Sequence, residues 1–510
     1  MPFSLKLSAV APLAAVLLAT AGPTRAQAPA VTTVRIDATK PHQTIANFAA
    51  SDAWAGQFVG NWPAAKKEAI ADLLFSQDKG IGLSMWRFNI GAGSAEQGEA
   101  SGIKDEWRRA ESFLTPTGSY DFTRQAGQLW FMKAAQQRGV KQFLGFLNSP
   151  PVSLTATGKA YAKAGETNLP SANYAALGTY CATVVKGVQQ ATGITFDYLS
   201  PINEPQWDWS DGGQEGSPFR NPEIAGVAQA TSAALAAQRL PTKVLVTEAG
   251  KLDYLFTAAD KPGRGDQLAA FFGDKAAPTY LGGTPQVAPI IAGHSYFTTS
   301  PAATAIATRR QLAARVAALK GISYWQSEYC ILGDNAGEIN GGPRDLGMKP
   351  ALYLAKVVHY DLAVGNAAAW QWWLAISPYD YKDGLIYIDK SKTDGVYHPS
   401  KMLWALGNYS RYLLPGAIRL DAQLADSARA GQPLVSAYKS PTGKQLITVV
   451  VNDYDTPATV QLVLSGGQLG AGKAYVTSTT ADLQPAAAVP AGQPLRVVPR
   501  SVTTLVSELR

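Results

Sequence analysis

The sequence predicts an α/β fold: a (β/α)8 TIM barrel carrying a smaller β domain. Short apolar runs alternate with helix-like segments over roughly 360 residues, a pattern that builds a parallel sheet with helices on its faces. Eight such runs occur, which favours a closed barrel over an open sheet. Beyond about residue 415 the helical segments stop and short strand-like segments follow one another directly.

The eight strand candidates are Phe48–Ala53, Leu83–Gly91, Lys141–Asn148, Phe196–Asn203, Lys243–Thr247, Pro289–Tyr296, Ile322–Ser327 and Ala367–Leu374. Several are apolar throughout, as strands buried on both faces are. Pro63 to Gln77 follows the first and carries Ile70, Leu73 and Leu74 at helical spacing. Asn221-Pro222-Glu223 reads as a helix start, with a cap, a proline in the first turn and a favourable acidic residue. Gly193 and Gly321 follow helical patterns and suit C-terminal caps.

In the tail, Leu434–Lys439, Gln445–Asn452, Thr459–Leu464, Ala474–Ser478 and Leu495–Val506 read as antiparallel strands. Pro441-Thr442-Gly443-Lys444 is a turn between two of them. Val31 to Asp37 also alternates, and can join this domain from the other terminus. The expected division is an N-terminal strand over 31–46, a barrel over 47–412 and a β domain over 413–510.

Residues 1–26 read as an export signal. Lys6 precedes an Ala/Val/Leu run over residues 8 to 20, and small residues offer cleavage near Ala26 or Ala28. The expected location is therefore periplasmic or extracellular, with no membrane association after signal removal. Loss of Lys6 and Arg25 would lower the formal charge from +7 to +5. The remaining basic residues are dispersed, which argues against a nucleic-acid partner. Cys181 and Cys330 are the only cysteines and are expected as buried thiols rather than a disulfide framework. A monomer is expected.

Chemistry in such a barrel collects at the C-terminal ends of the strands. Three glutamates lie there: Glu204 in Ser200-Pro201-Ile202-Asn203-Glu204-Pro205, Glu248 in Val246-Thr247-Glu248-Ala249-Gly250, and Glu328 in Tyr324-Trp325-Gln326-Ser327-Glu328-Tyr329. Glycosidic cleavage needs two carboxyl groups flanking one bond, one to protonate the leaving oxygen and one to attack or activate water. Spacing alone does not choose the pair, and any one strand-end glutamate serves equally well in a structural ion pair.

Twelve tryptophans are present, and Trp54, Trp86, Trp207, Trp209, Trp325, Trp370, Trp372 and Trp373 fall near strand ends. Indole stacks on the C–H faces of sugars, while Asn, Gln and carboxylates meet their hydroxyls. Trp86 and Trp370 suit barrel packing equally well. His294 ends a strand, where it suits substrate binding or packing. With four histidines, no His-Glu-x-x-His, no Gly-x-Ser-x-Gly and no phosphate-cradling loop, neither a metal nor a cofactor is expected.

Ser200-Pro201-Ile202-Asn203-Glu204-Pro205-Gln206-Trp207-Asp208-Trp209, continued by Gln214-Glu215-Gly216-Ser217-Pro218, resembles the acid/base segment of glycoside hydrolase family 30. Tyr324-Trp325-Gln326-Ser327-Glu328-Tyr329-Cys330 resembles its nucleophile segment, and Ser84 to Gly91 and Asn148-Ser149-Pro150-Pro151 extend the likeness. The resemblance implies a clan A barrel with a β-sandwich side domain built from both chain ends. It implies acid/base Glu204 on barrel strand four and nucleophile Glu328 on strand seven, so that Glu248 leaves the pair. Asn203 would contact the sugar 2-hydroxyl, and Arg87 and Tyr296 would orient the nucleophile. Asn148, Trp207, Trp209, His294, Trp325 and Trp372 complete the expected substrate-binding set. One departure is visible: Asn47-Phe48-Ala49 stands where the family commonly has Gly-Phe-Gly. The two glutamate segments look most like the endo-β-1,6-galactanase branch, which implies a retaining hydrolase acting on the galactan side chains of arabinogalactan. Xylanase, β-1,6-glucanase or β-glucosidase-type action within the family, and a non-catalytic carbohydrate-binding protein, are the alternatives.

Overall fold

A computed structural model describes residues 31–510. The expected export signal at 1–26 lies outside the described residues. The barrel strands are β2 (Asn47–Ser51), β3 (Met85–Asn89), β4 (Gln142–Phe146), β5 (Tyr198–Ser200), β6 (Lys243–Ala249), β7 (Val287–His294), β8 (Ser323–Glu328) and β9 (Ala369–Ser377). Each of the eight expected runs contributes one. Neighbours pair in parallel, and β9 pairs with both β2 and β8, which closes the barrel. The remaining strands are β1 (Val31–Thr44) before the barrel, and β10 (Gly384–Ile388) and β11 (Tyr397–Pro399), which extend from β9.

The second domain contains β12 (Ile418–Leu424), β13 (Leu434–Lys439), β14 (Gln445–Asn452), β15 (Ala458–Ser465), β16 (Leu469–Ser478), β17 (Ala481–Val489), β18 (Leu495–Val497) and β19 (Ser501–Leu509). With β1 they form a nine-stranded sheet ordered β17-β16-β19-β14-β13-β12-β1-β15-β18. Val34 and Ile36 from β1 share a core with Leu446, Val450, Leu495 and Leu505, so the sheet closes on itself as a β-sandwich. β1 is antiparallel to β12 and parallel to β15, so both chain ends build this domain.

β14 shows why the two domains pack closely. Leu446 and Val450 point into the sandwich, whereas Ile447, Val449 and Val451 join the larger core that includes the barrel. Period-two alternation gives one strand two apolar faces, and each face covers a different domain.

Four expectations differ in detail. Leu495–Val506 is two strands, because Pro499 lacks a ladder donor and Arg500 takes a left-handed φ of 46°. Asn221 is the first helical residue of Asn221–Ala237 rather than its cap. Arg220 takes that place, and its backbone N–H donates to the Glu223 carboxylate at 2.6 Å. β12 and β17 are absent from the strands expected from the sequence: β12 carries a short alternation of Arg419, Asp421 and Gln423 with apolar residues, whereas β17 contains Pro485 and exposes Ala486, Ala487 and Ala488. Gly193 does cap its helix, at φ 77°, whereas the helix before Gly321 ends at Ala318 with Leu319 as its cap. Both cysteines are free and buried.

Candidate active site

The C-terminal ends of the barrel strands surround a cavity of about 670 Å³. Glu204 follows β5 and Glu328 ends β8, and both line it. One carboxylate oxygen from each lies within 4.8 Å of the other. Glu204 holds a left-handed φ of 44°, fixed by its N–H donating to the Glu248 carbonyl at 2.8 Å. That strained conformation turns the side chain to the cavity.

Glu328 is held by two donors. Arg87 from β3, fully buried, donates to Oε2, and the Tyr296 hydroxyl donates to Oε1 at 2.9 Å. The Arg87 guanidinium also lies 3.8 Å from the Phe146 ring centre and donates to Asn203 Oδ1 at 3.3 Å. Asn203 donates in turn to Asn148 Oδ1 at 3.2 Å, leaving Asn203 on the cavity wall in a fixed orientation.

Glu204 has a different environment. Burial raises its pKa, the His294 Nδ1 contact at 3.0 Å opposes the rise, and the charge of Glu328 adds to it. His294 Nε2 meets Glu248 at 3.0 Å. Burial draws the His294 pKa down, but Glu328, Glu204 and Glu248 outweigh it and raise it to about 9. Glu248 is sealed beneath the cavity. Burial penalises its charge, yet Arg87, His294 and the Ser200 hydroxyl hold it down at about 2. Ser327 adds a further hydrogen bond. This places Glu248 as a permanent anion that fixes His294, away from the reacting space.

Of the expected substrate-binding residues, Asn203, Trp207, Trp209 and Tyr296 line the cavity. Arg87, Asn148 and His294 lie beneath it as supports, so His294 is not a wall residue. Trp325 and Trp372 require correction. Trp325 fills the barrel interior, edge-on to Tyr198 with ring centres 4.8 Å apart. Trp372 stacks on Trp370 and donates its indole N–H to the Asp383 carbonyl at 2.7 Å. The neighbouring Trp373 faces the cavity instead, as strand alternation requires. Trp86 and Trp370 are both fully buried in barrel packing.

Two glycines let the wall tryptophans settle. A Cβ on Gly216 would stand 2.4 Å from the Trp209 ring, and one on Gly250 would stand 2.5 Å from that of Trp207. The departure at Asn47-Phe48-Ala49 is absorbed below the site. Asn47 donates to Gln142 at 3.3 Å and accepts from Gln371 at 3.1 Å, and neither Asn47 nor Ala49 lines the cavity.

Sequence reasoning missed Arg108, Phe297, Tyr379 and Asp383 on the wall. Tyr379 and Asp383 follow the eighth barrel strand, a position that could have marked them; Arg108 sits in a long loop without local signal. Among the described residues, Glu204, His294 and Glu328 are the one group whose ligand-type atoms approach within 4.8 Å. Both His294 ring nitrogens and both Glu328 oxygens already hold hydrogen bonds, and a doubly hydrogen-bonded His294 is a poor metal donor.

Similarity to known proteins agrees with this geometry. Residues 31–387 match the model of O-glycosyl hydrolase family 30. A conserved exported protein from Bacteroides fragilis is 32% identical, with a TM-score of 0.85 over 93% of this chain and 100% of that one. The catalytic domain of a family 30 xylanase C from Talaromyces cellulolyticus is 20% identical, with a TM-score of 0.68 over 93% and 99%. An endo-β1,6-glucanase is 16% identical, with a TM-score of 0.66 over 93% and 94%. The last two speak for the fold alone. With the family match spanning both glutamates of the cavity, the chain belongs to O-glycosyl hydrolase family 30 and is an O-glycoside hydrolase.

Proposed function

We propose that this protein is a retaining endo-β-1,6-galactanase, exported from the cytoplasm, with Glu328 as nucleophile and Glu204 as acid/base. The observation that carries the mechanism is the approach of the two carboxylates to within 4.8 Å across the cavity. Retaining enzymes hold theirs at about 5–5.5 Å, while inverting enzymes leave about 6.5–9.5 Å for a water.

Arg87 and Tyr296 fix Glu328 with both oxygens engaged, poised toward the anomeric carbon. Glu204, raised by burial and by the Glu328 charge, holds the proton that the leaving oxygen takes. Attack by Glu328 forms the glycosyl ester and breaks the glycosidic bond as that proton transfers. Esterification removes the Glu328 charge. The His294 cation then acts on Glu204 unopposed and lowers its pKa, which suits it to deprotonate the incoming water. Water attack releases the sugar with its configuration retained and restores both carboxyl groups.

The galactan reading rests on the segments around both glutamates. Export rests on the character of residues 1–26, and the exported B. fragilis relative supports it. A product profile on de-arabinosylated arabinogalactan, xylan and β-1,6-glucan tests the substrate, with proton NMR following the first anomer released. β-1,6-linked galacto-oligosaccharides of retained configuration are expected. Products from xylan or β-1,6-glucan alone would replace the galactan reading with another activity of the family, and an inverted first product would refute the double displacement.

A further inference from the structure

The cavity has two unlike walls. On the side of the acid/base segment, no buried side-chain polar atom of Glu204, Trp207, Trp209 or Gln214 is left without a partner, and the Trp209 indole N–H donates to the Glu204 carbonyl at 3.0 Å. The opposite wall is supplied by the loops after the second and eighth barrel strands. There Arg108 Nε, the Tyr379 hydroxyl and Asp383 Oδ1 are all buried and meet no partner in good hydrogen-bond geometry, although Asp105 and Arg108 lie beside the Tyr379 hydroxyl and Ser377 beside the Asp383 carboxyl. Buried polar groups are normally paired, because an unpaired one forfeits its hydration without replacement. Three on one face of one cavity therefore call for a ligand.

The surroundings identify its chemistry. Asp383 is only 6% exposed, and burial pushes its carboxyl up to about 6 against the opposing Ser377 hydrogen bond and the charge of Arg108. The Arg108 guanidinium lies 4.7 Å from the Trp54 ring centre and 5.1 Å from that of Tyr379. Trp54 meets Trp373 and Tyr379 edge-on, with centres 5.3 and 5.5 Å apart. The wall thus offers aromatic surface, a fixed donor, a hydroxyl and an acceptor. These match a pyranose, which has apolar C–H faces and a rim of hydroxyls. The exposed Asp380 carboxylate on the same wall, together with Asp383, disfavours a sugar acid.

We propose that Arg108, Tyr379 and Asp383 form a recognition subsite for the hydroxyls of a neutral sugar on the non-reducing side of the cleaved bond. The side follows from the proposed roles, on which this inference rests: the leaving sugar must lie against Glu204 and its own Trp207 and Trp209. The three polar groups on the far wall then select the sugar that Glu328 attacks and its neighbour. They have no part in the chemical step.

A subsite that leaves polar groups unpaired in the free protein costs stability, which gives a readout independent of turnover. Asp383→Ala and Tyr379→Phe should melt at or above the wild-type temperature. With the glycan that wild type cleaves, Asp383→Ala should lower kcat/KM roughly 100-fold and Tyr379→Phe about fivefold. Affinity electrophoresis through galactan, xylan and β-1,6-glucan gels compares Glu328→Gln with Glu328→Gln/Asp383→Ala. Retardation of the first and not of the second supports the subsite, even if wild type cleaves none of the three and the proposed activity fails. A melting point lowered by several degrees in Asp383→Ala assigns the residue to folding and overturns the proposal. Equal retardation of both variants, or of neither by any glycan, also overturns it.

Discussion

Two buried charge clusters lie near the C-terminal end of this barrel, and they are built on opposite plans. At Asp361, one acid meets one base: Arg309 Nε donates to Oδ1 at 2.7 Å, Trp370 donates to Oδ2 at 2.9 Å and Ser295 reaches both oxygens. The pair is neutral, saturated and sealed from the cavity. In the cluster beneath the cavity, three glutamates compete for Arg87 and His294. Its charges are satisfied only collectively, and two of its carboxylates reach the reacting space. A saturated pair holds two elements together. An unsaturated one keeps its proton affinities responsive to the loss of a single charge, which double displacement requires.

The largest effect that separates the plans is loss of the nucleophile. Glu328→Ala should reduce kcat/KM by about 10⁴-fold or more while the protein stays folded, because Arg87 and His294 keep Glu248 as a buried partner. Added azide should restore turnover of an activated aryl glycoside as a glycosyl azide of inverted configuration. Wild-type activity in this variant would end the assignment. Glu204→Gln should cost about 10²–10⁴-fold on glycan and much less on an aryl glycoside whose leaving group needs no proton. An equal loss on both substrates would remove Glu204 from the acid role.

The Asp361 cluster should respond in the reverse sense. Arg309→Ala strands a buried carboxylate, and breaking such a pair costs about 3–5 kcal/mol of stability. Denaturant titration should show that loss, whereas kcat/KM per folded molecule should match wild type. A fall in kcat/KM without loss of stability would mean that the two clusters are coupled through Ser295, which adjoins His294.

The contrast also explains what was legible in the sequence. All eight barrel strands could be read because parallel strands are apolar on both faces, and the three glutamates because each ends such a run. Choosing between Glu248 and its neighbours was not possible from spacing, since the difference lies in Ser200, Ser327 and His294, which reach Glu248 from three other strands. Trp372 failed by register: in Trp370-Gln371-Trp372-Trp373 a shift of one residue exchanges the cavity for the packed core. Arg108 could not be placed at all, because a ring contact across loops leaves no local pattern.

The subtlest test concerns His294, which joins the permanent anion Glu248 to the cycling acid Glu204. Replacing it by Gln keeps a hydrogen-bonding side chain and removes the cation. Glu204 then loses the influence that lowers its pKa, so the alkaline limb of kcat/KM, set by loss of the acid's proton, should move to higher pH. Deglycosylation needs Glu204 as a base and should slow, most of all at low pH. Stability carries an independent sign. The folded-state pKa of His294 is raised from 6.5 to about 9, so its favourable contribution is fully present below pH 6.5 and disappears as pH rises through 9. The melting-temperature gap between wild type and His294→Gln should therefore be widest below pH 6.5 and close near pH 9. A gap that widens with pH would show that His294 is neutral when folded, and the switch assigned to it would then have to come from Glu328 alone.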